Sequence, residues 1–300
     1  MLRLILLAFS MIILLASCNN GETDKHKTQT NETMVTMPDS TSGYAPINGL
    51  NMYYEIYGKG MPLVLIHGGG STIQTSFAQV IPFLARKHQV IAVELQGHGR
   101  TSHRDSQQTF EQDADDVAAL LQYLKISNAD IFGFSNGGNA TMQIAVRHPE
   151  LVRKIVIGSS FYKRAGMYPQ FWEFMPNATL ENMPRQLADA YKALSPDPND
   201  LIKMFNNDKN RMVSFKDWDA GILRSIKAPA FILIGDQDVM LPEHAVEMSR
   251  LIPNARLAIL PGAHGAYIGE ITTGMENSKL PELTVAMIED FLNDTTLPKE

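Results

Sequence analysis

Six short apolar runs, at residues 63–66, 90–93, 131–134, 155–157, 231–234 and 257–260, constrain the fold of this chain more than any other feature. Each is bounded by glycine, proline or polar residues, and none alternates apolar with polar. A strand with one wet face reads with a period of two, so unbroken runs fit strands buried on both faces, as in a parallel sheet. Helical stripes separate them. Phe110, Ala114, Val117, Leu121 and Leu124 recur at four- and three-residue spacing, with Thr109 and Gln112 placed for a capping box. Leu280, Leu283, Met287, Ile288 and Phe291 form a second stripe near the C-terminus. Strands alternating with helices imply an α/β fold with a mostly parallel, doubly wound sheet. The folded body is expected over 47–295, opening with an edge hairpin strand at Leu50-Asn51-Met52-Tyr53-Tyr54-Glu55-Ile56-Tyr57.

The rhythm breaks between about 160 and 226, where no buried strand is evident and aromatics crowd together. A helical cap is expected there. Phe161, Tyr168, Phe171 and Trp172, with Phe134 from the sheet, are candidates to line an apolar substrate pocket. The bland alternative is that they pack the insertion onto the sheet.

The N-terminus is of another kind. Met1-Leu2-Arg3 carries one positive charge and precedes an apolar run over 4–16, too short for the roughly 20 residues that span a bilayer. Residues 1–17 read as a signal peptide, and Leu15-Ala16-Ser17-Cys18 resembles the lipobox of bacterial lipoproteins. That resemblance implies lipidation at Cys18, export, and anchoring to a bacterial membrane, the outer membrane or cell surface being favoured. An ordinary secretory signal is the alternative. Cys18 is the only cysteine in the chain, which excludes an intramolecular disulfide and a cysteine-based zinc site. Residues 18–46 are mainly polar and are expected to form a flexible tether. A net charge of −6 disfavours nucleic acid as a partner.

Chemistry enters at Gly133-Phe134-Ser135-Asn136-Gly137, set between an apolar run and a helical pattern. A sharp strand-to-helix turn brings backbone so close that only glycine fits beside the serine, and the helix N-terminus supplies N–H groups for a developing negative oxygen. With this motif the chain resembles the α/β-hydrolase family over roughly 47–292. The resemblance implies a nucleophile, acid and histidine in that order: Ser135, then Asp238 in preference to Asp236, then His264. It also implies oxyanion donors at the backbone of Gly69, with Gly68 or Gly70 as alternatives, and of Asn136.

A serine hydroxyl is weakly nucleophilic at neutral pH. A neutral imidazole must take its proton, and a carboxylate must fix the imidazole tautomer. The expected reaction is hydrolysis of a small, partly apolar ester or lactone through an acyl-enzyme. A carbon–carbon hydrolase, a perhydrolase and a non-catalytic ligand-binding protein are the alternatives. No motif calls for a metal or cofactor: the glycine loop lacks a P-loop ending, and no zinc-protease spacing occurs. His98 is expected to shape a loop near the nucleophile, while His88 and His103 are expected to be solvated.

Overall fold

The computed structural model describes residues 36–195, 197–275 and 277–296. The signal-peptide segment, Cys18 and the tether up to residue 35 lie outside them. Eight strands form one sheet: β1 (Ser40–Ile47), β2 (Leu50–Tyr57), β3 (Met61–Ile66), β4 (His88–Val93), β5 (Ala129–Phe134), β6 (Val152–Gly158), β7 (Ala230–Gln237) and β8 (Ala255–Ala263). Their order is β1-β2-β4-β3-β5-β6-β7-β8; the β1–β2 and β2–β4 pairings are antiparallel and the other five are parallel. All six apolar runs are parallel strands.

Both faces of the sheet are covered. Val64 and Ile66 of β3 face one core, with Ala114, Val117 and Leu121 of the helix Phe110–Tyr123. Leu63 and Leu65 face a second core, with Phe77, Leu84 and Ile288. Successive side chains point to opposite faces, so only a strand covered on both sides can be apolar throughout.

Three expectations need correction. The body begins before residue 47. Ser40-Thr41-Ser42-Gly43-Tyr44-Ala45-Pro46-Ile47, read as the end of the tether, is the true edge strand and pairs with β2 along its whole length. An edge strand half open to water needs few apolar residues, and here Ala45 and Ile47 suffice. β8 is the opposite edge and is mostly half-exposed. In the C-terminal helix Leu280–Asn293, Leu283 is 60% exposed, and Val285, Ile288, Phe291 and Leu292 make the buried face. Thr109 does cap its helix, accepting from the Gln112 N–H, but the Gln112 side chain turns to Asp116 and leaves the capping box half made.

Between β6 and β7 the chain forms the expected helical insertion, including Pro169–Phe174, Arg185–Leu194, Pro198–Ser214 and Ala220–Arg224. The strand order reverses around β3, whose neighbours are β4 and β5. Ligands in open α/β sheets bind outside the carboxyl ends of strands at such a point.

Candidate active site

Ser135 ends β5 at that point. Its backbone is at φ 55° and ψ −121°, a strained conformation for a residue with a side chain, and its N–H donates to the Gly158 carbonyl at 2.8 Å. The flanking glycines are obligatory. A Cβ on Gly133 would sit 2.0 Å from the Gly137 carbonyl oxygen, and one on Gly137 would sit 2.1 Å from that of Ile66. The helix Asn136–Arg147 starts directly after the serine, so the Asn136 N–H, in the first turn, has no partner within its helix.

His264 follows β8, and its Nδ1 lies 2.7 Å from Oδ1 of Asp238 at the end of β7. Asp238 is buried. Asp236 turns away and accepts the Gly262 N–H at 2.7 Å, so Asp238 alone of the two meets the histidine. Burial pushes the His264 pKa down, but the Asp238 charge and hydrogen bond outweigh it and hold it above the ordinary value. Burial likewise pushes Asp238 up, and His264 and Ser159 outweigh it, so its carboxyl stays below the usual range.

Sequence reasoning missed the groups behind this pair. Ser159 donates from Oγ to Asp238 Oδ2 and also contacts the Tyr267 hydroxyl at 2.9 Å. The N–H groups of Met240 and Gly235 complete the carboxylate's shell at 3.3 and 3.4 Å. Ser159 carries a signal in hindsight: it stands directly beyond β6, beside the end of β7 that bears the acid.

The glycine loop after β3 is sorted by its hydrogen bonds. Gly68 donates to Ser76 Oγ at 3.4 Å and Gly70 to Asp208 Oδ2 at 2.6 Å. The Gly69 N–H has no acceptor among the described residues. Gly69, Ser135, Asn136 and His264 open together onto a cavity of about 320 Å³ under the insertion.

The lining corrects the aromatic expectation. Phe161 and Phe171 do reach the cavity, joined by Phe174 and by Met167, Met175, Met183, Met204, Met212 and Met240. Trp172 does not reach it. Its ring packs on Phe161, Phe171 and Phe215, and its Nε1 donates to the Arg164 carbonyl. Tyr168 is 46% exposed outside the lining, held by its N–H to the Val239 carbonyl. Phe134 is buried behind the site with its ring 4.7 Å from that of His264, so it supports the histidine rather than touching the cavity. The methionines were visible in the sequence, five of them within the insertion. An unbranched thioether is as ordinary in a core as in a pocket, so nothing marked them.

The His67 and His98 rings lie 4.8 Å apart, tilted by 49°, beneath the glycine loop, and burial drives the His67 pKa down to about 3. His88 is buried and His103 is partly buried, its Nε2 3.7 Å from Asp200 Oδ1; neither is solvated as expected, and neither ring has a hydrogen-bond partner among the described residues. No group of three or more His, Cys, Asp or Glu among the described residues is arranged to hold a metal ion.

A family model for the alpha/beta hydrolase fold matches residues 61–225, more than half of the chain. The chain belongs to the alpha/beta hydrolase fold family. It is 25% identical over 260 residues to pyrrolizixenacetamide deacetylase of Xenorhabdus hominickii, covering 82% of this chain and 96% of the relative. It is 27% identical over 240 residues to 2-hydroxy-6-oxo-6-(2'-aminophenyl)hexa-2,4-dienoic acid hydrolase of Metapseudomonas resinovorans, covering 71% and 80%. Among solved structures it is similar to Est816, an N-acyl homoserine lactone degrading enzyme, with a TM-score of 0.61, 25% identity, and coverage of 80% and 97%. Hydrolysis is the class of reaction that this family and these relatives support.

Proposed function

We propose that this hydrolase cleaves a small, partly apolar carboxylic ester or lactone through an acyl-enzyme on Ser135. The observation that carries the reading is the buried Asp238 at 2.7 Å from His264, which opens with Ser135 onto one methionine-lined cavity. In this reading His264 takes the Ser135 proton as Oγ attacks the substrate carbonyl. Asp238 holds the proton on Nδ1, so that Nε2 is the accepting nitrogen. The oxyanion is met by the Gly69 and Asn136 N–H groups, neither of which has an acceptor among the described residues. His264 then returns the proton to the leaving oxygen, and a water activated by the same imidazole releases the acid. The methionine lining suits an acyl group of variable shape, because thioethers repack at low cost. A deacetylase and a lactone-degrading enzyme among the similar proteins support acyl transfer to water.

A panel of p-nitrophenyl esters of increasing acyl length, together with lactones, tests this. The wild type should hydrolyse at least one class, and Ser135→Ala should lose at least about 10³-fold in kcat. Equal rates in the two proteins would refute it. The likeness to the dienoic acid hydrolase favours a second reading, in which the same residues cleave an oxo-dienoic acid, and one such acid belongs in the panel.

As part of the same proposal, Cys18 carries lipid and tethers the exported enzyme to a bacterial membrane, as its lipobox-like setting implies. Wild-type protein should fractionate with membranes and Cys18→Ala should not. Equal partitioning would overturn the anchor.

A further inference from the structure

One side chain of the insertion reaches the glycine loop. Asp208 stands on the helix Pro198–Ser214 and lines the cavity. Its Oδ2 accepts the Gly70 N–H at 2.6 Å and lies 3.0 Å from His98 Nε2. Its Oδ1 accepts from Arg211, whose other terminal nitrogen donates to Asp113 at 2.6 Å. The Arg211 and Asp113 side chains are 2% and 1% exposed. Such buried charges are tolerated only when paired and hydrogen-bonded, so the chain Asp113–Arg211–Asp208–His98 fixes where Asp208 can be.

The consequence falls on the loop. Gly70 is at φ +65°, and an added Cβ there would meet nothing closer than 3.4 Å, whereas one on Gly69 would lie 2.4 Å from Asn136 Nδ2 and 3.1 Å from Asp208 Oδ2. The shortest hold on the Gly69–Gly70 peptide is its bond to a carboxylate, the stronger kind of hydrogen bond, with longer contacts from the Gly70 N–H to His98 Nε2 at 3.3 Å and from Ser71 Oγ to the Gly69 carbonyl at 3.4 Å. Turned over, it would aim the Gly69 carbonyl at that carboxylate, an arrangement that charge forbids. On the other side the Gly68 carbonyl, in the peptide that bears the Gly69 N–H, lies 2.7 Å from His67 Nδ1 and accepts the Ser71 N–H at 3.3 Å, while the Gly68 N–H makes a 3.4 Å contact to Ser76.

We propose that Asp208 is a positioning residue for the oxyanion hole: by gripping Gly70 from the cap it sets the peptide after Gly69, as His67 sets the peptide before it, and so aims the Gly69 N–H toward the reacting carbonyl. This rests on the hydrolase reading above. In this role Asp208 acts through the Gly70 N–H and not on the reacting atoms.

The test compares Asp208→Ala, Asp208→Asn and Tyr191→Phe on p-nitrophenyl butyrate, with melting curves for each. Tyr191 donates from the cap to the Gly97 carbonyl at 2.9 Å and makes no contact with Gly70, so it reports on cap docking alone. Asp208→Ala should lower kcat at least about thirtyfold with KM within about threefold, because misaligned oxyanion donors act in the transition state. Asp208→Asn offers one acceptor to the two donors Gly70 and Arg211 and should fall in between. Tyr191→Phe should stay within about twofold of the wild type. A kcat for Asp208→Ala within threefold of wild type, a loss confined to KM, or an equal loss in Tyr191→Phe overturns the proposal. If Asp208→Ala does not fold, a loss of about fivefold or more in folded Asp208→Asn supports it, and anything smaller overturns it. Wild type that fluorophosphonate does not label overturns the hydrolase reading and this role with it. Labelled wild type beside an unaffected Asp208→Ala overturns this role alone.

Discussion

Asp238→Asn changes one atom and has two separable consequences. In the wild type each carboxylate oxygen accepts a backbone N–H, Met240 to Oδ1 and Gly235 to Oδ2, while His264 and Ser159 take one oxygen each. An amide has one accepting oxygen, so in either orientation its NH₂ faces a backbone donor. That leaves a buried polar group unsatisfied, at a cost of about 1–3 kcal/mol in stability. If the NH₂ faces His264, the imidazole must accept on Nδ1 and carry its proton on Nε2, the nitrogen required as base. The expected loss is about 10⁴ in kcat, or about 5 kcal/mol at roughly 1.36 kcal/mol per tenfold. Removing the charge also removes what raises the His264 pKa, so any residual activity should show its acid limb at lower pH than the wild type. The assay is steady-state ester hydrolysis across pH, with Asp236→Asn beside it. Asp236 is exposed and should cost no more than about threefold. Asp238→Asn retaining more than a tenth of wild-type kcat, or Asp236→Asn showing the larger loss, would refute the reasoning.

Other outcomes follow from the same geometry. His264 must be neutral to act as a base and its pKa is raised, so wild-type kcat/KM should fall as the pH drops through a value above 6.5 and level off above it; a midpoint below 6.5 in a pH–rate profile would contradict this. Ser159→Ala removes a donor to the Asp238 carboxylate, worth about 1.5–3 kcal/mol, and should lower both Tm and kcat, the latter by about three- to tenfold; unchanged kinetics would count against a role for Ser159. In Gly137→Ala the new methyl would lie 2.1 Å from the Ile66 carbonyl and 2.6 Å from that of His67, both backbone that cannot yield. Overpacking of this kind costs about 1–3 kcal/mol or more, and Tm should drop by at least about 3 °C with activity lost.

The interior of the sheet was legible because burial on both faces leaves no choice of residue: the five apolar runs of β3 to β7 became parallel strands. Of the edges, β8 showed its apolar run although none of its residues is buried, and β1 did not show. Residues 40–47 needed only alternate burial and so read as polar tether, and Leu283 fell on the helical stripe yet points to water. The turn at Ser135 was legible too, since close backbone approach admits only glycine, whereas Asp238 was preferred over Asp236 through the family resemblance alone; in the structure Asp238 meets His264 and Asp236 accepts the Gly262 N–H. Ser159, Tyr267 and Asp208 were not, because each acts through one hydrogen bond across 79, 108 and 138 residues of sequence, and no local pattern encodes such a contact. Among the aromatics, chemistry alone could not separate Phe171, which lines the cavity, from its neighbour Trp172, which packs behind it; helical phase decides, and that became visible only with the turn at Pro169–Phe174.

The central claim is that Ser135 is a nucleophile activated by His264. Labelling with an activated fluorophosphonate, followed by intact mass and peptide mapping, tests it most directly. One equivalent bound at Ser135 in the wild type, absent from Ser135→Ala and strongly slowed in Asp238→Asn, is the expected result. No adduct on folded wild-type protein, or an adduct that persists in Ser135→Ala, would contradict it.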